Sequence, residues 1–439
     1  MKRILAILLC LVMLLSFAAC GKEPAEETPP SETLRVGFGR ADITPIDISV
    51  PLYGYANHAT RLSTEVLDPI YATCIALTDS ADNTILIFTM DLTTSFGAVV
   101  PLQRKAISEA TGVPFENICL SATHTHSGPA MVAAYDDRFP QMYDYAKYMK
   151  EQFVQAAVDA MADRAEATIE YGAAYPEGLN FVRHYVMDDG SVIGDNFGTD
   201  EGKTYMRHVS DADNQLQVLR FVRDGKKDIV LANFQSHPLL CGGAFDTRIT
   251  ADYIAPMRSY MESHLDCHFA YFSGASGNID PKSRISSENA ALNYIDHGEQ
   301  LAKQAILALS NTTPISSGKV GALQEDHEVQ IKQNKSEMTL QALSAGGIGF
   351  VAPPYEMFDS NGKDIKEASP FEVTFVLYLA NSSTGYVAAK SAYAYGGYEV
   401  EYTGFVEGTA ENLANNFLDM LHTLHGTERA AAEGGADNG

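Results

Sequence analysis

Histidines stand at the ends of two short apolar runs in this 439-residue chain. The run 118–122 continues into Thr-His-Thr-His, which contains His124 and His126. The run 229–235 continues into Ser-His-Pro, which contains His237. Residues i and i+2 of an extended backbone point the same way, so two imidazoles can converge on one metal, or one can bind it while the other transfers protons. Surface histidines, and a structural histidine at the second position, are the alternatives.

Carboxylates follow two further apolar runs. A catalytic zinc site has about three protein ligands and one open position for water, and a carboxylate is a usual companion of two histidines. Glu356 lies just after the run 348–352, and Asp280 lies after the run 269–273. Glu356 could equally be a solvated loop acid. The chain contains 56 Asp and Glu residues, so spacing alone does not choose among them.

The elements that must position these residues are short apolar runs that alternate with helical patterns. We predict strands at 34–38, 70–77, 84–90, 118–122, 215–222, 229–235, 269–273, 348–352 and 373–380. Several of these runs are unbroken, as is typical of strands covered on both faces. Apolar residues at steps of three and four predict helices at 140–164, 287–310 and from Thr409 onward. The pattern predicts an α/β fold, a layered mixed β-sheet flanked by helices, with a zinc site at strand carboxyl ends.

The first residues indicate export. Residues 1–19 have a basic start and an apolar stretch too short to be a good membrane span, and they end in small residues before Cys20. This arrangement resembles the lipobox of bacterial lipoproteins, in which Cys20 becomes lipidated. We therefore predict a protein anchored to the outer face of the bacterial cell membrane. A plain signal peptide with an incidental Cys20 is the alternative. Residues 20–33 predict a flexible tether.

The remaining chain predicts one catalytic domain at 34–425 and a disordered tail at 426–439. The formal charge of 31 − 56 = −25 argues against a nucleic-acid partner, because phosphate binding needs clustered Lys and Arg. Four cysteines remain after the signal region, with no CxxC pair, which argues against a metal cluster. They could form one or two disulfides or be small buried side chains. The sequence does not give the oligomeric state.

The chain resembles the neutral (alkaline, non-lysosomal) ceramidase family from about residue 36 to 400. The likeness rests on motifs in the family's order. These are VGFGRADITP at 36–45, ATHTHSGP at 122–129, SGNIDP at 276–281, NSSTGY at 381–386 and GGYE at 396–399. THTHSGP is highly specific in this context, whereas the later motifs are individually loose.

The resemblance implies the role of each site residue. The implied zinc ligands are His124, His237, Glu356 and Tyr386. It implies that His126 lies beside the metal, that Tyr398 faces the scissile amide and that Arg183 contacts substrate. Asp280 stands where many ceramidases have a serine with an assigned catalytic part. An aspartate cannot replace a hydroxyl nucleophile in acyl transfer, but it can serve as a base for an activated water. The chain is also shorter than those ceramidases and is expected to lack their immunoglobulin-like C-terminal domain.

These observations predict a zinc-dependent amidohydrolase. It would hydrolyse the N-acyl amide of ceramide-like lipids to a sphingoid base and a fatty acid, using metal-activated water. Asp280 or His126 would transfer protons, and Tyr398 or Arg183 would stabilise the oxyanion. One alternative is a zinc hydrolase of the same fold that acts on another N-acyl amide or an ester. Another is a surface lipoprotein that binds a ligand without turnover.

Overall fold

The computed structural model describes residues 33–46, 49–241, 243–285 and 293–429. The predicted signal peptide, Cys20, residues 20–32 of the predicted tether and residues 430–439 of the predicted tail lie outside the described residues. The helices are α1 Val100–Thr111, α2 Gln141–Ala162, α3 Ile254–His264, α4 Tyr294–Leu309, α5 Asp359–Ala368, α6 Tyr398–Tyr402 and α7 Thr409–His425. None of these helices has both the length and the apolar composition needed to cross a bilayer.

The longer strands form two sheets, and the remaining strands are short pairs near the loops. Strands β1 to β11 are Leu34–Asp42, Glu65–Val66, Tyr71–Thr78, Thr84–Met90, Ile118–Ala122, Ala165–Ala174, Phe181–Val182, His184–Met187, Val192–Gly194, Tyr205–His208 and Leu216–Arg223. Strands β12 to β22 are Asp228–Phe234, Arg248–Ile249, Cys267–Ser273, Ile279–Asp280, Thr313–Ile315, Val320–Gln330, Lys335–Ala345, Ile348–Ala352, Glu356–Met357, Val373–Val376 and Tyr386–Val387.

The larger sheet has nine strands in the order β14-β12-β11-β6-β1-β3-β4-β5, with β16 also paired to β6. The pairs β12–β14 and β4–β5 are parallel, whereas the strands between them pair antiparallel. Helices α2, α3 and α4 pack on one face of this sheet. The fold is therefore a mixed α/β fold with a large mixed sheet flanked by helices, which confirms the predicted class.

A second sheet, in the order β17-β18-β19-β21, was not predicted. Its inner face packs on the larger sheet through a fully apolar cluster that includes Leu343, Phe350 and Phe375 from one side and Ile75 and Leu219 from the other. Helix α7 packs on β17 and β18. The core thus has two apolar layers, because each sheet buries both faces.

The two edge strands of the larger sheet, β5 and β14, lie together at their carboxyl ends. The Ser273 hydroxyl donates to the Thr123 carbonyl at 2.7 Å. The segment 378–381 contacts both edges, since Tyr378 N–H donates to the Ser273 carbonyl at 3.1 Å and Asn381 N–H donates to the Leu120 carbonyl at 2.9 Å. We call this segment the clasp. It brings the loops that follow β5, β12 and β14 to one place.

Most predicted elements occur with similar bounds. The predicted strands at 84–90, 118–122 and 348–352 have the same bounds in the structure. The predicted strand at 373–380 ends at Val376, because the chain turns into the clasp, where Leu379 has a φ of 48°. The predicted helix at 287–310 begins at Tyr294, and residues 286–292 lie outside the described residues. Four free, buried cysteines are described, so the buried alternative holds for them. They are Cys74, Cys119, Cys241 and Cys267.

Candidate metal centre and active site

His124 lies two residues beyond β5, with its backbone in the left-handed region at a φ of 70°. This conformation is uncommon for a residue with a side chain, so the surrounding structure must hold it. The His124 N–H donates to the Leu92 carbonyl at 2.9 Å, and its Nδ1 lies 2.6 Å from the Thr93 carbonyl. Because a carbonyl can only accept, Nδ1 carries the proton in the neutral ring and Nε2 offers a lone pair.

His237 has the same arrangement at the end of another strand. It lies three residues after β12 and is fully buried. Its Nδ1 lies 2.9 Å from the Ile279 carbonyl, so this nitrogen is also the donor. Its Nε2 is buried and has no hydrogen-bond partner within the described structure. Burial lowers the pKa of His237 to about 4, with Arg183 acting in the same direction, so the ring is neutral at neutral pH.

Glu356 faces both histidines. Its Oε2 lies 3.5 Å from Nε2 of His124 and 3.5 Å from Nε2 of His237. The same oxygen accepts a hydrogen bond from the Tyr378 hydroxyl at 3.2 Å. Burial alone would raise the pKa of Glu356, but the two histidines hold it well below its usual range. The carboxylate is therefore ionised and faces Nε2 of both rings.

His126 completes a cluster of three imidazoles. Its Nε2 lies 3.3 Å from Nε2 of His124, and one nitrogen from each of the three histidines lies within 4.8 Å of the others. The Tyr55 ring packs against His126 at 5.0 Å between centroids, and Arg61 donates to its carbonyl at 2.7 Å. Burial, followed by the neighbouring histidines, lowers the pKa of His126 well below its usual value. His126 is thus a neutral base beside the other two rings.

The donors of this cluster fit a metal ion. Two imidazole nitrogens with fixed tautomers and one ionised carboxylate are ligands that zinc accepts, and the partners on the far nitrogens are carbonyls, as in known zinc sites. The buried, unpartnered Nε2 of His237 is the direct sign, because burying a polar atom without a partner costs about 1–3 kcal/mol. A bound cation would satisfy it.

Tyr386 lies beside Glu356 on a neighbouring strand. Strands β20 and β22 pair in parallel, with Glu356 opposite Tyr386. The Tyr386 hydroxyl accepts a hydrogen bond from Nη2 of Arg183 at 3.2 Å. The ring of Tyr398, the first residue of α6, lies 5.8 Å from the Tyr386 ring in an edge-on contact. Both tyrosines are half-buried, so they are accessible to a small group that enters the centre.

Arg183 lies in a buried network rather than in an open cleft. Its Nε donates to Oε1 of Glu399 at 2.7 Å, and its Nη2 donates to the Gly277 carbonyl at 2.9 Å. Its Nη1 lies 3.4 Å from Asp280. Burial would raise the pKa of Glu399, but Arg183 and His184 lower it to about 2, so Glu399 is ionised. Glu399 thus compensates a guanidinium that has almost no access to water.

Asp280 lies on this network, not on the histidine cluster. It pairs with Phe181 across β15 and β7 and contacts Arg183 and the carboxyl group of Asp195. Burial and the hydrogen bond with Asp195 raise the pKa of Asp280 well above its usual range, although Arg183 acts against this. This raised pKa favours the protonated carboxyl form of Asp280, which can donate a hydrogen bond.

The structure brings the predicted residues together in two adjoining groups. The first group is His124, His126, His237 and Glu356, and the second is Arg183, Asp280, Tyr386 and Tyr398. Sequence reasoning missed Tyr378 and gave no role to Glu399. Tyr378 lies within the predicted strand 373–380 and has no motif around it, whereas Glu399 directly follows Tyr398 in the GGYE motif.

Comparison with known proteins gives the same family on independent grounds. The sequence model of the N-terminal region of neutral/alkaline non-lysosomal ceramidases matches residues 34–270. The fold is similar to that of neutral ceramidase from Pseudomonas aeruginosa, and to a ceramidase structure described as complexed with C2. Each comparison has a TM-score of 0.73 at 17% identity, and it covers 92% of this chain and 77% of the other. The chain belongs to the neutral/alkaline non-lysosomal ceramidase family.

Proposed function

We propose that the protein is a zinc-dependent amidohydrolase that hydrolyses the N-acyl amide of ceramide-like lipids. Its products would be a sphingoid base and a fatty acid. The observation that carries this proposal is the convergence of two buried imidazole lone pairs, from His124 and His237, on the Glu356 carboxylate at 3.5 Å each. Membership of the ceramidase family implies an amide hydrolase, and the substrate and the metal are the proposed parts.

The residues of the first group, together with Tyr386 of the second, would hold the metal and move a proton. His124, His237, Glu356 and Tyr386 are the proposed ligands. Zinc at this position would polarise the amide carbonyl and lower the pKa of water toward about 7. His126 is neutral and adjoins His124, so one of its ring nitrogens can accept the proton of the attacking water. Proton transfer of this kind contributes about 10²–10⁴-fold in rate.

The second group would act on the oxygen and the amine of the scissile bond. The Tyr398 hydroxyl would donate to the developing oxyanion, a contribution of about 3 kcal/mol for a well-placed donor. The raised pKa of Asp280 favours its protonated form, and that form would deliver a proton to the leaving amine. On this assignment His126 is the base and Asp280 the acid, so the aspartate does not need to be a nucleophile.

The ligands are tested by His124→Ala and His237→Ala. We expect each purified variant to lose bound zinc, measured by elemental analysis, and to lose hydrolysis of short-chain N-acylsphingosines by at least 10³-fold. His264→Ala, at the end of α3, is the matched control for an imidazole outside the cluster. Folded variants that keep full activity and zinc content would refute the proposal.

The substrate is tested by a panel assayed on the wild-type protein. The panel contains short- and long-chain N-acylsphingosines, simpler N-acyl amides and the matching esters. Preference for N-acylsphingosines supports the ceramide assignment. Faster cleavage of another amide or an ester would favour a different hydrolase of the same fold. Zinc binding with no turnover of any member would favour a protein that only binds its ligand.

We further propose that the protein is exported and anchored through lipid on Cys20. The support is the apolar segment that ends in small residues before this cysteine. Expression of the full chain with a radiolabelled fatty acid should give a labelled protein in the membrane fraction. Cys20→Ser should remove the label and release the protein. A wild-type chain without label, found in the soluble fraction, would contradict the anchor.

A further inference from the structure

Glu399 contacts two neighbouring residues, Arg183 and His184, that lie far from it along the chain. Its Oε1 lies 2.6 Å from Nη2 of Arg183 and 2.7 Å from Nε, a paired contact. Its Oε2 lies 2.7 Å from Nε2 of His184. All three side chains are buried. Charge-assisted contacts of this length, away from water, fix both oxygens of the carboxylate and therefore fix the plane of the guanidinium.

The guanidinium in turn fixes the Tyr386 hydroxyl. A guanidinium has five N–H groups in one plane, and those of Arg183 reach Glu399, Gly277, Asp280 and Tyr386. Besides Glu399, Nη2 contacts the Gly277 carbonyl and the Tyr386 hydroxyl. Rotation of the guanidinium would break both of these hydrogen bonds. The backbone of Tyr386 is held by β20, but its hydroxyl has Arg183 as its donor.

We propose that Glu399 is a positioning residue that acts through Arg183 to hold the Tyr386 hydroxyl toward the metal centre. This inference rests on the proposed function, because it needs Tyr386 as a zinc ligand. On this proposal the main role of Arg183 is to connect the Glu399 carboxylate to the proposed zinc ligand Tyr386. Partners of metal ligands typically change metal affinity by about 10- to 100-fold when they are removed.

The other ligands should not depend on Glu399. His124 and His237 are held by the carbonyls of Thr93 and Ile279, and Glu356 by the Tyr378 hydroxyl. None of these contacts includes Arg183 or Glu399. Removal of the Glu399 charge should therefore lower zinc affinity without moving His124 and His237. This result would distinguish a positioning role from a general loss of structure.

The experiment measures zinc affinity by competition with a chromophoric chelator. We expect Glu399→Gln to weaken zinc binding by about 10- to 100-fold. Glu399→Asp keeps the charge one methylene further away and should recover part of the affinity. Tyr386→Phe should weaken binding similarly, and Glu399→Gln should add little in that background, because the link it acts through is already gone.

Asp163→Asn is the matched structural control. It breaks another ion pair with a buried arginine, Arg223, at 2.5 Å. We expect it to lower stability in urea but to leave zinc affinity unchanged. If Glu399→Gln binds zinc as tightly as the wild type, or weakens binding equally with and without the Tyr386 hydroxyl, the inference is wrong.

Failure of the proposed function gives different results. A wild-type protein that binds zinc but cleaves no amide leaves the affinity measurements valid, and only the substrate is then in doubt. A wild-type protein that binds no zinc removes the proposed function and this inference together. If Glu399→Gln fails to fold, Glu399→Asp and the Tyr386→Phe background carry the test, since a graded effect through Tyr386 is expected only from positioning.

Discussion

At the scale of residues, backbone carbonyls set the chemistry of the histidine cluster. The carbonyls of Thr93 and Ile279 each accept a hydrogen bond from Nδ1 of one ring, so both Nε2 atoms are turned toward Glu356. Neither acceptor could be identified from the sequence, because a carbonyl has no residue signature. The left-handed backbone conformation of His124 orients its imidazole ring. This conformation also could not be identified from the sequence.

Replacement of Tyr378 tests the support of Glu356. Tyr378→Phe removes the hydroxyl that donates to Oε2 of Glu356 at 3.2 Å, while the ring keeps its packing against His124 at 5.5 Å. We expect zinc affinity to fall about 10-fold with little loss of stability. Tyr145→Phe is the control, since its buried hydroxyl donates to the Ile43 carbonyl far from the cluster. Unchanged affinity in Tyr378→Phe would show that the hydroxyl does not support the ligand.

Asp252 predicts a pH-dependent contribution to stability. Burial raises the pKa of this carboxyl from 3.8 to about 6, although backbone N–H groups lower it. The folded state therefore binds a proton more tightly than the unfolded state, and this stabilisation is fully present below pH 3.8 and is lost as the pH rises through 6. We expect the stability of the wild type relative to Asp252→Asn to fall by about 2 kcal/mol between pH 4 and 7.

Urea unfolding of both proteins at several pH values measures this difference. Asp144→Asn, on the exposed side of α2, controls for the loss of one negative charge. A difference between wild type and Asp252→Asn that stays constant from pH 4 to 7 would contradict the raised pKa of Asp252. The measurement needs no substrate, so it is independent of the proposed function.

At this scale the residue types near the ends of predicted strands were informative. His124, His237 and Glu356 were selected by position and by the family resemblance, and the structure places them together. Their assignment as ligands stays a prediction. Tyr378 was not selected, because a tyrosine within an apolar run is usually a core residue. Its contact with Glu356 depends on the clasp, which the sequence does not reveal.

At the scale of elements, two glycines let α2 lie directly on β1. A Cβ at Gly39 would stand 2.0 Å from the Ala156 carbonyl oxygen, and one at Gly37 would stand 2.0 Å from that of Ala160. The obstacles are backbone atoms of the helix, so a side chain cannot rotate away from them. The close approach of helix and strand therefore depends on the absence of side chains at these two positions.

Substitution of Gly39 tests this contact. We expect Gly39→Ala to lower the free energy of unfolding by about 3 kcal/mol or more, because the helix must move off the strand. Gly404→Ala is the control, since no heavy atom lies within 4 Å of a Cβ there. Urea unfolding followed by circular dichroism measures both variants. Equal stability of Gly39→Ala and wild type would mean that the helix can shift freely.

Buried elements were easier to predict than exposed ones. The strands at Thr84–Met90, Ile118–Ala122 and Ile348–Ala352 are fully buried, so each is an unbroken apolar run in the sequence. The hairpin of Val320–Gln330 and Lys335–Ala345 has many exposed charged residues, and its apolar alternation is too weak to identify. The second sheet was missed for this reason, although two of its strands were predicted, at 348–352 and 373–380.

At the scale of the whole molecule, the candidate centre joins segments that are distant in the chain. His124 follows β5 and His237 follows β12, and these strands stand near opposite edges of the sheet order. Glu356 and Tyr386 come from the part of the chain around the second sheet. A metal ion held by these side chains would therefore cross-link both sheets.

Removal of metal tests this cross-link. We expect treatment with a chelator, followed by dialysis, to lower the melting temperature by several degrees, since a ligand at 100 to 1,000 times its dissociation constant stabilises by about 3–4 kcal/mol. Zinc should restore the melting temperature. His124→Ala should melt at the same temperature with and without chelator. If neither chelator nor zinc changes the melting temperature of the wild type, the metal does not stabilise the fold.

The clasp has a consequence for the order in which the protein matures. Residues 378–381 join the two sheet edges and are synthesised after nearly nine-tenths of the chain. A nascent chain that has emerged only as far as Ala345 already contains both imidazole donors, but it lacks the carboxylate, the phenol and the segment that locks them in register. The proposed metal site should thus form only once residues 346–386 have emerged, so a ribosome-stalled polypeptide that ends at Ala345 should bind no zinc there, however well its early strands had assembled.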